Sequence, residues 1–210
     1  MDINAILNNA DHSVLVVTPG IHEDVVVAVP HHAPSGASKL PCKEHPEADE
    51  NAGFLGYYIS RLLNCRSVIA CNYFIDPNKN KDTDYCRLLL SLKPKILLEI
   101  HGHGGRSANF DIEISSGSHK RNRWSMELAN RLGAKLQTSP QLKNYTISGN
   151  FNDIYFKATR TFTITTDEWL AFHIELPNSI RKSQIEYKAF CESLSEIIKD
   201  MLGLLEPKFS

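Results

Sequence analysis

Five short stretches of this 210-residue chain hold side chains suited to metal or acid–base chemistry. Pro30-His31-His32 ends the run Val25-Val26-Val27-Ala28-Val29, and His101-Gly102-His103-Gly104-Gly105 ends the run Ile96-Leu97-Leu98-Glu99-Ile100. Asp76-Pro77-Asn78-Lys79 lies in a loop, Asp49-Glu50 precedes a helical pattern, and Glu175 sits inside Ala171-Phe172-His173-Ile174-Glu175-Leu176. A catalytic zinc takes three protein ligands, typically His with a carboxylate, and keeps one position open. His31 and His101, with Asp49 or Glu50, would supply that set. Acidic residues also favour helix N-termini because they complement the dipole, so Asp49 and Glu50 read equally as caps. The glycines around His103 permit close backbone approach. Glu175 is costly to bury without a partner, which makes it a candidate general base.

The elements that must position these residues follow from periodicity. Val14 to Val17, Val25 to Val29, Val68 to Cys71, Ile96 to Ile100, Phe110 to Ile114, Phe162 to Thr165 and Phe172 to Leu176 read as strands. Thr18-Pro19-Gly20 supplies a turn between the first two, which predicts a hairpin or adjacent strands. Phe54, Leu55, Tyr58, Ile59 and Leu62 fall on one helical face, and Asp84 to Ser91, Trp124 to Leu132 and Ser183 to Leu205 are further helices. Strands alternating with helices predict a single α/β domain over 1–210, a three-layer α/β/α hydrolase-like arrangement with a mostly parallel mixed sheet. Sites in such sheets gather beyond the carboxyl ends of the strands.

In their order these segments resemble the N-formylglutamate amidohydrolase family, related in fold to the zinc carboxypeptidases, over roughly Val26 to Arg181. The family's Pro-His-Ser-Gly-like strand end is matched by Pro30-His31-His32-Ala33, and its acidic residue before a helix by Asp49-Glu50-Asn51. Its Asp-x-Asn-Arg motif is matched by Asp76-Pro77-Asn78-Lys79, its Asp-x-His by Glu99-Ile100-His101, and its late glutamate by Glu175 before Arg181. The resemblance implies that His31 and His101 are metal ligands, with Asp49 favoured over Glu50 as the acidic one. It makes Glu175 the glutamate that activates water. His32-Ala33 replaces Ser-Gly, Glu99 replaces Asp, and Lys79 stands where the family has a carboxylate-gripping arginine, which loses the bidentate fork.

The chemistry this implies is zinc-dependent hydrolysis of an amide: an N-formyl or N-acyl amino acid, a γ-glutamyl amide, or a peptide end as in a carboxypeptidase. Asn78, Lys79, His103 and Arg181 are expected to hold an acidic group of a small-molecule or peptide substrate, and Arg160 or Arg106 to face the developing oxyanion. Two rival readings are a phosphoesterase using His101-x-His103 as a ligand pair and a non-catalytic module that retains the fold. With 23 basic and 24 acidic side chains and a net charge of −1, the chain lacks the electrostatic footprint of a nucleic-acid binder. No apolar run reaches the roughly 20 residues that span a bilayer. Five cysteines without a C-x-x-C pair, and no signal-peptide pattern at the start, lead to the expectation of a cytoplasmic protein.

Overall fold

Runs such as Val25–Val29 and Ile96–Leu98 are apolar at every position, as strands covered on both faces must be. A computed structural model describes residues 2–9 and 12–205. The elements are α1 (Ile3–Leu7), β1 (Val14–Thr18), β2 (His22–Ala33), β3 (Asp49–Glu50), α2 (Ala52–Leu63), β4 (Cys65–Cys71), α3 (Asp84–Leu92), β5 (Ile96–His103), β6 (Ile112–Ser115), α4 (Asn122–Thr138), β7 (Ile147–Ser148), α5 (Phe162–Thr165), β8 (Leu170–Pro177), α6 (Asn178–Lys182) and α7 (Gln184–Leu205). They build one mixed sheet in the order β1-β4-β2-β5-β8-β6-β7, with β3 added beside β2. The central strands β4, β2, β5 and β8 are parallel, while β1 and β6 run antiparallel to their neighbours β4 and β8. Among the described residues no helix is long and apolar enough to cross a membrane, and the five cysteines are free and buried.

Alternation along the strands divides the core. Val27, Val29, Leu98, Ile100, Phe172 and Ile174 face Leu55 and Ile59 of α2, Leu128 and Leu132 of α4, and Phe190 and Leu194 of α7. Val26, Ala28, Leu97 and Ala171 face Tyr85, Cys86 and Leu89 of α3 and Ile164 of α5. From β2 the chain runs through α2 to β4 on one side, then through α3 to β5 on the other side of β2. Such a switch point, here at the carboxyl ends of β2 and β5, is where open α/β sheets gather their sites.

Three expectations are corrected. Phe162–Thr165 is helical, because Ile164 packs in the core beside α3 and the Thr163 hydroxyl donates to Glu99 at 2.6 Å. Packing overrides the β propensity of so short a run. The first two strands do not pair with each other. β1 pairs with β4, and the Ile21 and His22 amides both reach the Asn64 carbonyl, carrying the turn over the start of β4. Gly20 sits there against the Cys65 backbone, where a Cβ has no room. Asp49 and Glu50 form the short strand β3 rather than capping a helix, and Asn51, in the left-handed region at φ 67°, precedes α2.

His32 anchors α2 to the sheet. Its Nε2–H donates to the Leu7 carbonyl at 2.9 Å and its Nδ1 accepts the Gly53 amide at 3.0 Å, so the ring is neutral. Burial pushes its pKa down to about 4. The unfolded chain takes up this proton near 6.5, so the stabilisation is intact above that pH and is lost as the pH falls toward 4. The loss is on the order of 3 kcal/mol. Urea unfolding of chelator-treated protein at pH 7 and 4.5 should show a smaller acid loss for His32→Gln than for the parent. Equal losses would show that another group carries the acid sensitivity.

Candidate metal centre

His31 reaches the switch point through a bulge. Val29 pairs with Ile69 but His32 pairs with Cys71, so three residues of β2 oppose two of β4. Both Val29 and His32 therefore face α2, against Gly56 and Gly53. The extra residue turns His31 to the other face, which is how bulges re-aim a side chain, and the strand can hold Pro30 there. His101 needs no such device, because alternation along β5 puts Leu97, Glu99 and His101 on that same face.

The two histidines converge on Asp49. His101 Nδ1 lies 3.1 Å from Asp49 Oδ2 and His31 Nδ1 lies 3.5 Å from the same oxygen. All three residues are buried. Behind them, His31 Nε2 meets Asp76 Oδ1 at 3.2 Å and His101 Nε2 meets Glu99 Oε1 at 2.9 Å. Each ring thus has a carboxylate on the nitrogen that faces away from Asp49, the arrangement that fixes tautomer and orientation in metal-binding histidines.

Three groups of side chains have the spacing to hold a metal: His31-Asp49-His101, His31-His45-Asp76 and Glu99-His101-His173. Hydrogen bonding separates them. Glu99 already accepts from Asn78 at 2.6 Å, Thr163 at 2.6 Å and Tyr85 at 3.3 Å, and Asp76 already holds Lys79 at 2.6 Å. His31 Nδ1, His45 Nε2 and His173 Nδ1 are all buried without a hydrogen-bond partner, so what sets the first group apart is its carboxylate, since Asp49 meets the two histidines rather than a side chain outside the group. Two imidazoles and one carboxylate are a set that suits zinc, and a bound ion would complete the unpartnered His31 nitrogen.

Electrostatics agree. Burial works against a charged imidazole, yet Asp49 and Glu99 outweigh it and raise the His101 pKa to about 10. Burial likewise works against the Asp49 carboxylate, while His101 and His31 hold its pKa well below the usual range. The cluster thus retains a proton where a cation can sit. Against its burial, Asp49 and Asp76 raise the His31 pKa as well, so at pH 7 zinc uptake should release one or more protons per ion. Calorimetry in buffers of different ionisation enthalpy measures it, and a buffer-independent heat would contradict the assignment.

Glu175 is the register partner of His101 across β5 and β8. Its Oε1 meets His173 Nε2 at 3.0 Å, and its Oε2 is buried without a partner. Burial opposes its ionisation, but His173 and His101 keep its pKa below the usual carboxylate value. On the next strand Glu113 pairs with Glu175. Glu113 accepts the amides of Asn109 at 2.7 Å, Phe110 at 3.2 Å, Tyr155 at 2.9 Å and Phe156 at 2.8 Å, tying together two loops. Glu113→Gln replaces one acceptor oxygen by a donor that faces amide donors. The expected cost is ~3 kcal/mol, read as a melting temperature lower by roughly 10 °C. An unchanged melting temperature would refute this role.

Most of the remaining expected site residues are engaged elsewhere. Glu50 accepts from the Gly36 amide and pairs with Lys182 at 2.7 Å, away from the histidines. Asn78 and Lys79 hold Glu99 and Asp76, so they support the histidines instead of standing free for a substrate. His103 has both nitrogens committed, to the Asp111 carbonyl at 2.9 Å and the Gly105 amide at 3.1 Å, which also removes the His101-x-His103 ligand pair. Arg181 is buried and donates to the carbonyls of Leu176, Glu50 and His103 and to the Asn178 side chain. It clasps the ends of β8, β3 and β5, and Gly102 leaves it room. Arg160 and Arg106 are exposed, and no contact joins either to the cluster among the described residues.

Sequence reasoning assigned no role to His45 and His173. His45 stacks on His31 with centroids 3.7 Å apart, and its Nε2 is enclosed without a partner. His173 was legible by its two-residue spacing from Glu175, which alternation puts on one face. His45, in an irregular loop, carried no such signal.

No family model and no curated protein matches the chain. Solved structures do share its fold. A bacteriophage poly-gamma-glutamate hydrolase superposes with a TM-score of 0.60 at 11% identity, covering 91% of this chain and 90% of the other. The gene product Atu2144 from Agrobacterium tumefaciens gives 0.56 at 14%, covering 91% and 96%. The N-acetylmuramoyl-L-alanine amidase AmiC2 of Nostoc punctiforme gives 0.53 at 15%, covering 88% and 99%. At these identities the likeness is one of fold, and it agrees with the α/β/α arrangement.

Proposed function

We propose that this chain is a zinc-dependent amide hydrolase, with His31, Asp49 and His101 holding the metal and Glu175 as general base. The observation that carries the reading is a pair of buried, unpartnered atoms flanking His101: His31 Nδ1, whose ring packs edge-on to His101 beside Asp49, and Glu175 Oε2, whose residue is in register with His101 on the neighbouring strand. Zinc, when bound, supplies Lewis acidity that polarises the scissile carbonyl and makes water more acidic. The chain's own part is acid–base work. Glu175 Oε2 takes a proton from the attacking water, whose oxygen bonds to the carbonyl carbon. As the C–N bond breaks, Glu175 returns that proton to the leaving amine. Asp76 and Glu99 keep the two imidazoles turned toward Asp49 throughout.

Two structural neighbours are named as a poly-gamma-glutamate hydrolase and an N-acetylmuramoyl-L-alanine amidase, which favours γ-glutamyl and N-acyl amino acid amides over esters or phosphates. N-formyl amino acids, from the motif order, join them as candidate substrates. A carboxylate on the substrate remains part of the proposal. Its readers would not be Asn78, His103 or Arg181, whose donors serve the fold. The test is a panel of N-formyl, N-acyl, γ-glutamyl and peptide amides, each in acidic and neutral form, offered to zinc-loaded protein beside a chromogenic phosphate ester. Turnover of an amide that stops with chelator supports the reading. Turnover of the phosphate ester alone would overturn it.

A further inference from the structure

We propose that His173 is a positioning residue for Glu175, pinning one carboxylate oxygen so that the other is the single proton acceptor. This rests on the reading of Glu175 as general base. The two side chains lie two residues apart on β8 and so share a face. His173 Nε2 stands 3.0 Å from Glu175 Oε1, while His173 Nδ1 is buried without any partner. A carboxylate can only accept, so the ring carries its proton on Nε2 and donates it to Glu175. The ring cannot swing freely, because it lies tilted against His101 with centroids 4.0 Å apart. A neutral donor suits the task better than a cation. Lys or Arg at this point would orient the glutamate but weaken it as a base through full charge pairing. Glu113, the other buried acid in register with Glu175, cannot substitute, since four amides already occupy its oxygens.

The test compares His173→Leu and His173→Gln, each alone and combined with Glu175→Gln, by kcat, KM, zinc content and melting temperature on one preparation. The Gln side chain can place an amide N–H near the position of Nε2, whereas Leu cannot donate. His173→Leu should lower kcat about 10–100-fold, the scale for losing such an orienting partner, with KM and zinc content unchanged. His173→Gln should recover kcat to within a few-fold of the parent. In the Glu175→Gln background His173→Leu should have no further effect, because the residue acts through that carboxylate. Nitrogen NMR of the folded parent should show the His173 proton on Nε2. Multiplying rather than saturating effects, an unchanged kcat in His173→Leu, or a proton on Nδ1 would overturn the inference. Zinc loss in His173→Leu would overturn it too, by making His173 a ligand with Glu99 and His101. A fully active Glu175→Gln would instead remove the general-base reading beneath it.

Discussion

His31→Ala and His101→Ala should each purify with little zinc, where the parent is expected to carry roughly one per chain. The effect is large because each substitution removes one of three buried metal donors and takes an imidazole away from Asp49, which lies 3.5 Å from His31 and 3.1 Å from His101. Asp76→Ala and Glu99→Ala should act one step further back. With the orienting carboxylate gone, metal affinity should fall by about 10–100-fold while some occupancy survives at high zinc. Metal analysis after dialysis against graded chelator separates the two classes. The pattern also discriminates among the overlapping groups. If zinc sat between Glu99, His101 and His173, His31→Ala would keep it. If it sat between His31, His45 and Asp76, His101→Ala would keep it. Full occupancy in both His31→Ala and His101→Ala would end the assignment.

The second large effect is expected at Glu175. Glu175→Gln keeps the shape and can keep the contact with His173, but it offers an amide where the base must accept a proton. Turnover should fall by roughly 10²–10⁴-fold, the usual scale for removing a general base, while zinc content and melting temperature stay near those of the parent. A purely structural Glu175 predicts the opposite split, with a lower melting temperature and nearly full turnover per folded molecule. Measuring zinc, stability and kcat on the same sample decides between them. A stable, zinc-filled and fully active Glu175→Gln protein would sink the mechanism.

Much of this arrangement could be read along the chain, and the reasons differ from residue to residue. The apolar runs around His101 and Glu175 mark strands whose alternation puts Glu99, His101, His173 and Glu175 on one face. His31 is different. Plain alternation from Val27 and Val29 would aim His31 at α2 and His32 at the opposite face, and only the bulge at Pro30-His31 reverses them. Motif order pointed to His31, whereas periodicity alone would have chosen His32. Asn78, Lys79 and Arg181 were legible as polar groups near the site but not as its supports. Whether a donor meets a substrate or a neighbouring carboxylate depends on where a loop lies against another strand. Asn78 and Glu99 are 21 positions apart, and Arg181 and Glu50 are 131 apart.

By itself the sequence determined the layered α/β class, the strands that carry His31 and His101 near their ends, and an inventory of imidazoles and carboxylates suited to zinc. These follow from local rules: alternation within a strand, periodicity within a helix, and the cost of burying a lone carboxylate. Tertiary structure decided the rest. It excluded the β1–β2 hairpin by pairing β1 with β4, and it made Phe162–Thr165 a helix so that Thr163 could bond Glu99. It separated Asp49 from Glu50, neighbours whose side chains serve different partners, and turned His103 and Arg181 inward to hold loop and strand ends. The physical reason is common to all of these. A buried polar group must find a hydrogen-bonding partner, and which partner comes within 3 Å or so is set by packing between elements far apart in the chain.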